Sequence, residues 1–174
     1  MSLWPAVIGA LSALSALCGA FLANKFADQR WEKQISYEKE KEKNKVMREK
    51  GEELHSLISR WQKYIGIYQL NQLLVLRGKI TETQRQDLQA KEPLESGLHD
   101  RLETILFIYF PELGTNLSKI KEFLEIGNST YLKTMKGNLN HEHAFKEIDA
   151  CAMKVQETFQ STNAAIRDRL KITL

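Results

Sequence analysis

Proline is scarce in this chain of 174 residues, which holds only Pro5, Pro93 and Pro111. A proline inside a helix removes a hydrogen bond and clashes with the preceding turn. Nothing of that kind interrupts the chain between Pro5 and Pro93. Cysteine is scarcer still, with Cys18 in an apolar run and Cys151 far along the polar part. The two are not expected to pair, so no disulfide framework is implied, as suits a cytosolic domain. Charged side chains are missing altogether from Met1 to Asn24. There is no Gly-rich phosphate loop, no Cys/His zinc pattern, no nucleophile elbow and no aromatic–basic stripe for nucleic acid. The net charge of +3 is too small to argue for nucleic acid, and no direct DNA binding is expected. No stretch carries a strand signal. By itself the sequence makes no case for an enzyme, and no cofactor is implied.

What is there begins with the uncharged stretch MSLWPAVIGALSALSALCGAFLAN, followed at once by Lys25, Arg30 and Lys33. A run of this length can cross the hydrocarbon core of a membrane as one helix. Pro5 sits near the first turn, where its missing N–H costs little. The run is built from Ala, Gly and Ser interleaved with Leu. On a wheel at about 100° per residue, Gly9, Ser12, Ala13, Ser15, Ala16, Gly19, Ala20 and Ala23 share one arc of roughly 160°. Ile8 is the only bulky residue among them. Leu3, Leu14, Leu17 and Phe21 lie opposite. In lipid, small residues let helix backbones approach, and Ser can bond across the contact. A narrow small-residue seam implies a dimer. An arc this wide implies a neighbour on each side, as in a homo-oligomeric ring. A plain single-pass anchor is the competing reading.

No Lys or Arg precedes the run and several follow it. The positive-inside rule then places the N-terminus outside a bacterial inner membrane and the bulk of the chain in the cytoplasm. A cleaved signal peptide would need a basic leading region, absent here. A lipoprotein site at Cys18 would need a small residue before it, and Leu17 stands there.

The expected layout is all-α, with three segments: a transmembrane helix over 1–25, a charged juxtamembrane helix over 26–53, and a cytoplasmic helical bundle over 54–174. Phe26 and Trp31 suit the membrane interface. The segment SYEKEKEKNK alternates in sign, and Glu38–Lys41, Glu40–Lys43 and Glu42–Lys45 each support a helix by a small amount. One helix is predicted to run from the membrane through this solvated stalk. In a ring its charges would line a wet vestibule.

From Leu54 the pattern turns amphipathic. Leu54, Leu57, Ile58, Trp61, Tyr64, Ile65 and Tyr68 recur at spacings of three and four, continued by Leu70, Leu73, Leu74 and Leu76. Gly78 supplies a stop. Thr81 and Gln84 read as a capping box for a short helix to about Lys91. Ser96 is the expected N-cap for a helix carrying Leu98, Leu102, Ile105, Leu106 and Tyr109. Pro111 starts another helix, with Leu113, Leu117, Ile120 and Leu124 on its face. Tyr131, Leu132 and Met135 extend it past an expected kink at Ile126–Gly127. After the loop KGNLN the last helix carries Phe145, Ile148, Ala152, Val155, Phe159, Ile166 and Leu170.

Four histidines are available for chemistry. His141 and His143 sit at a helix start, and a metal site there would need ligands that do not appear. His99 reads as a half-buried histidine beside Asp100 and Glu103. Arg48 and His55, in REKGEELH, are seven apart. On a helix that spacing puts them on one face about 10 Å from each other, too far to bond but able to face one groove. Together they offer a general acid/base and a cation for phosphate.

An Arg followed by His after four to six residues, inside a four- or five-helix bundle, resembles the HEPN superfamily. Its nuclease members cleave RNA with paired Arg and His at a dimer interface. With one N-terminal span added, the chain resembles the small membrane accessory proteins of type VI-B CRISPR systems. The resemblance implies a pore-forming partner of an RNA-guided RNA-cleaving effector, strengthening antiviral defence, with that effector or its RNA products as further partners. On that resemblance Arg48 and His55 would be the catalytic pair of a membrane-tethered ribonuclease. Glu49 follows Arg48 where active nucleases of that superfamily carry Asn, Asp or His. Other readings of the same features are an anchored helical adaptor and a spanin-like protein without a pore.

Overall fold

A computed structural model describes residues 4–172, less the side chains of residues 5–8, 10, 11, 13 and 172. The fold is all-α: among the described residues there are five α-helices, one 3-10 turn and no strand. α1 runs from Trp4 to Leu76, 73 residues without a break, as the absence of proline between Pro5 and Pro93 allows. α2 is Glu82–Lys91, α3 Leu98–Tyr109, α4 Gly114–Met135 and α5 His141–Ile172. The chain divides into two compact units, Met1–Lys45 and Val46–Leu174.

In the first unit every residue from Leu14 to Gln34 is exposed. Among the described residues no helix is long and apolar enough to cross a membrane. The uncharged run of the sequence also includes Pro5–Ile8, Ala10, Leu11 and Ala13, whose side chains lie outside the described ones.

The second unit is a helical bundle with its core where the amphipathic spacing predicts. Leu54, Ile58 and Trp61 of α1, Leu102 and Leu106 of α3, Leu117 and Ile120 of α4, and Val155, Phe159 and Ile166 of α5 are all buried together. Each fully buried large aliphatic or Phe side chain contributes about 1.5–3 kcal/mol of transfer free energy. Trp61 is the hub. Its ring meets Phe159 edge-on at 5.0 Å and His99 edge-on at 5.1 Å. A smaller cluster of Val75, Leu76, Tyr131, Ala144 and Ile148 closes the other end. There Arg77 lies over the Phe145 ring at 3.8 Å.

The helix ends follow local chemistry. At Gly78, φ is +65°. Its N–H donates to Val75 O, and Lys79 N–H donates to Leu74 O. This is a Schellman stop, which needs the left-handed glycine. Gly137 repeats it at the end of α4, with φ +78° and Asn138 N–H on Lys133 O. The Thr81/Gln84 capping box forms as predicted.

Three expectations need correction. The N-cap of α3 is Gly97, at φ +75° with no side-chain cap bond, not Ser96. A turn closed by Leu98 N–H on Glu95 O shifts the start by one residue. α4 passes through Gly127 as one helix, with no break. Leu70, Leu132 and Met135 are exposed at 54%, 57% and 41%. Leu117, Ile120 and Tyr131 are buried as expected, and the rest of the buried face of α4 is Gly127, Thr130 and Thr134. Small residues win that face because α5 comes close: a Cβ built at Gly127 lies 3.7 Å from Cys151 Cβ.

Candidate functional site

Two sets of residues were singled out by the sequence, and they fall in different units. The small-residue set lies on α1 in the first unit. Gly9, Ser12, Ser15, Ala16, Gly19, Ala20 and Ala23 are exposed, while the Ala13 side chain lies outside the described ones. A Cβ added at Gly9 or Gly19 would meet nothing within 4 Å. Ser15 Oγ donates to Ser12 O at 2.9 Å, turning a hydroxyl back onto its own helix. Opposite the small arc, Leu14, Leu17 and Phe21 are 60%, 70% and 69% exposed. Among the described residues, neither the small side nor the large apolar side is covered here.

Arg48 and His55 lie on α1 in the second unit. Arg48 is exposed and donates from Nε to Glu52 Oε1 at 3.0 Å. His55 is half-buried, and its carbonyl accepts from Ser59 Oγ at 2.8 Å. Between them stands a second set of ion pairs. Glu53 accepts from Arg101 Nε of α3 at 2.6 Å and from Lys50 Nζ at 2.9 Å. The Arg101 hydrogen bond, then that of Lys50, draws the Glu53 carboxyl down to about 2. Arg48 is thus matched by a carboxylate one turn away, on a segment laced with paired charges.

No protein-family model, curated protein or solved structure matches this chain.

Sequence reasoning missed the best-connected polar group. Arg85 of α2 grips Glu82 with Nε at 3.1 and 2.9 Å and Nη2 at 2.7 Å. The Tyr131 hydroxyl of α4 donates to the same carboxylate. Arg85 holds Glu82 down to about 2. Burial, then the bond to Glu82, pushes the Tyr131 hydroxyl well above its ordinary value. The Arg85 guanidinium also lies 5.9 and 5.6 Å from the ring centres of Tyr68 and Tyr131. This group fastens a helix that buries no residue of its own. Its only sequence signal was the three-residue spacing of Glu82 and Arg85.

The histidines lie where a structural role places them. Asn140 Oδ1 accepts from Glu142 N–H at 2.8 Å and His143 N–H at 3.4 Å, so Asn140 caps α5. His99 Nδ1 lies 3.2 Å from Glu103 Oε1. Among the described residues no three His, Cys, Asp or Glu side chains are grouped to hold a metal ion.

Proposed function

We propose that this chain is a membrane-anchored protein that assembles with copies of itself into a ring and permeabilises the bilayer. One observation carries the reading: among the described residues, both sides of the uncharged stretch of α1 are uncovered, large apolar residues on one and small ones on the other. Exposing Leu14, Leu17 and Phe21 to water would be unfavourable by about 25 cal/mol per Å². Lipid covers that side at no such cost. The small side is the one that tolerates close helix approach, and its width accommodates a neighbour on each flank.

The span comprises residues 1–25, N-terminus outside a bacterial inner membrane, by the excess of Lys and Arg after it. The bulk of the chain then lies in the cytoplasm. On the HEPN-like resemblance, the ring serves antiviral defence beside an RNA-guided effector. Arg48, matched by Glu52 and followed by Glu49, is assigned to the solvated helix surface and not to RNA cleavage.

The test replaces Ala16 and Gly19 by Leu together, which keeps the span apolar while filling the seam. Membrane potential is read with a voltage-sensitive dye in cells producing each protein. The wild type depolarises the membrane and the double variant, inserted to the same level, does not. Equal depolarisation by both would remove the pore.

A further inference from the structure

A groove of about 700 Å³ opens beside α4 in the second unit, with walls from Trp61 of α1 and His99 of α3. That volume falls in the range of small-molecule sites, roughly 300–1,000 Å³. Its rim is rich in donors. Lys121, Lys133 and Lys136 line it against a single carboxylate, Glu125. Lys121 and His99 are both engaged with Glu103. Lys133 and Lys136 have no ion-pair partner among the described residues.

Asn128 lines the same groove, and its orientation is fixed from behind. Gln72, only 1% exposed, donates from Nε2 to Asn128 Oδ1 at 3.1 Å and to the Tyr68 hydroxyl at 3.1 Å. The oxygen of Asn128 is thereby engaged by a buried partner, and its Nδ2 hydrogens make no hydrogen bond among the described residues. A buried amide that holds the oxygen of a second amide lining the groove is more than a scatter of surface lysines. Beside these donors lie apolar walls from Trp61, Leu124 and Leu132, the last 57% exposed.

From this arrangement we propose that the groove binds a phosphate monoester carrying an apolar body. Donors outnumber acceptors, so the ligand must supply the acceptors. The cations are lysines, compact point charges suited to a dense anion, and no arginine fork is present to grip a planar carboxylate. The apolar walls hold the remainder of the molecule. Free phosphorylated metabolites and phospholipid headgroups share this chemistry. The inference stands apart from the pore, because it concerns only the second unit.

The experiment is titration calorimetry on the full chain in detergent, with phenyl phosphate as probe. Phenol and benzoate, the same body without the group and with a planar anion, serve as comparators. Phenyl phosphate should bind at least about tenfold more tightly than either, a difference of ~1.4 kcal/mol. Lys133→Ala with Lys136→Ala, both exposed, should weaken it by a similar factor. Asn128→Asp keeps the oxygen that Gln72 holds and replaces the donor by an anion, and should abolish binding. Lys119→Ala, on α4 outside the groove, should leave it unchanged. Equal affinity for all three probes, or equal weakening by Lys119→Ala, would reduce the groove to a solvated lysine face and overturn the proposal. With binding established, displacement by a short-chain phosphatidic acid identifies a headgroup site, and failure to displace identifies a free metabolite.

Discussion

Arg101 on α3 donates from Nε to Glu53 Oε1 on α1 at 2.6 Å, across 48 residues of chain. With Lys50 on the other carboxylate oxygen, Glu53 is held ionised down to about 2, against an ordinary 4.5. A carboxyl depressed on folding adds stability above its unfolded value, and that stability is lost as pH falls toward the folded value. The melting temperature of Glu53→Gln should therefore lie below the wild type at pH 7. The gap should close between about pH 4.5 and pH 2, and narrow in high salt because the pair is exposed. A gap independent of pH would show that the charge is not what matters.

Tyr131 is 3% exposed and gives its hydroxyl to Glu82. Tyr131→Phe keeps the ring in the smaller cluster and removes only that donor. Urea unfolding should show a loss of about 1–2 kcal/mol, the scale of a hydrogen bond to a charged group. In the wild type the Tyr131 phenol should resist ionisation above pH 10, seen as a missing increment in ultraviolet titration. Full titration of every tyrosine near pH 10 would contradict the bond.

Gly127 separates space from helix propensity. The Cβ of an alanine there meets Cys151 at ordinary contact distance, 3.7 Å. Gly127→Ala should therefore stabilise by up to about 1 kcal/mol through propensity. Gly127→Leu should destabilise by about 1–3 kcal/mol, because α5 cannot retreat without cost. Chemical denaturation of both variants checks the opposite signs.

Arg48→Ala and His55→Ala test the alternative reading, a membrane-tethered ribonuclease. Neither should alter membrane depolarisation, and the wild-type protein should leave RNA intact. Loss of the exposed Arg48–Glu52 pair should change stability by only about 0.3–0.5 kcal/mol. RNA cleavage by the wild type, abolished by either substitution, would favour the ribonuclease over the pore.

What the sequence made legible was local. Proline spacing gave the uninterrupted α1, Thr81 and Gln84 gave the capping box, and Gly78 gave the stop. Apolar spacing named Leu54, Trp61, Leu102, Ile120 and Phe159 for the core. It failed where packing, not hydrophobicity, selects the face. On α4 the close approach of α5 puts Gly127, Thr130 and Thr134 inside and leaves Leu132 and Met135 outside. Contacts between distant residues, Glu53 with Arg101 and Glu82 with Tyr131, leave no periodic trace. The groove depends on Gln72 turning Asn128, which no spacing announces.

In the proposed ring, copies of this chain close on one another through the small side of the first helix. Light scattering on the full-length protein extracted in detergent gives the oligomeric mass. A single assembly larger than a dimer is expected, reduced to smaller species by Ala16→Leu with Gly19→Leu. A monomer or dimer in the wild type, or a larger assembly unchanged by the double substitution, would contradict it.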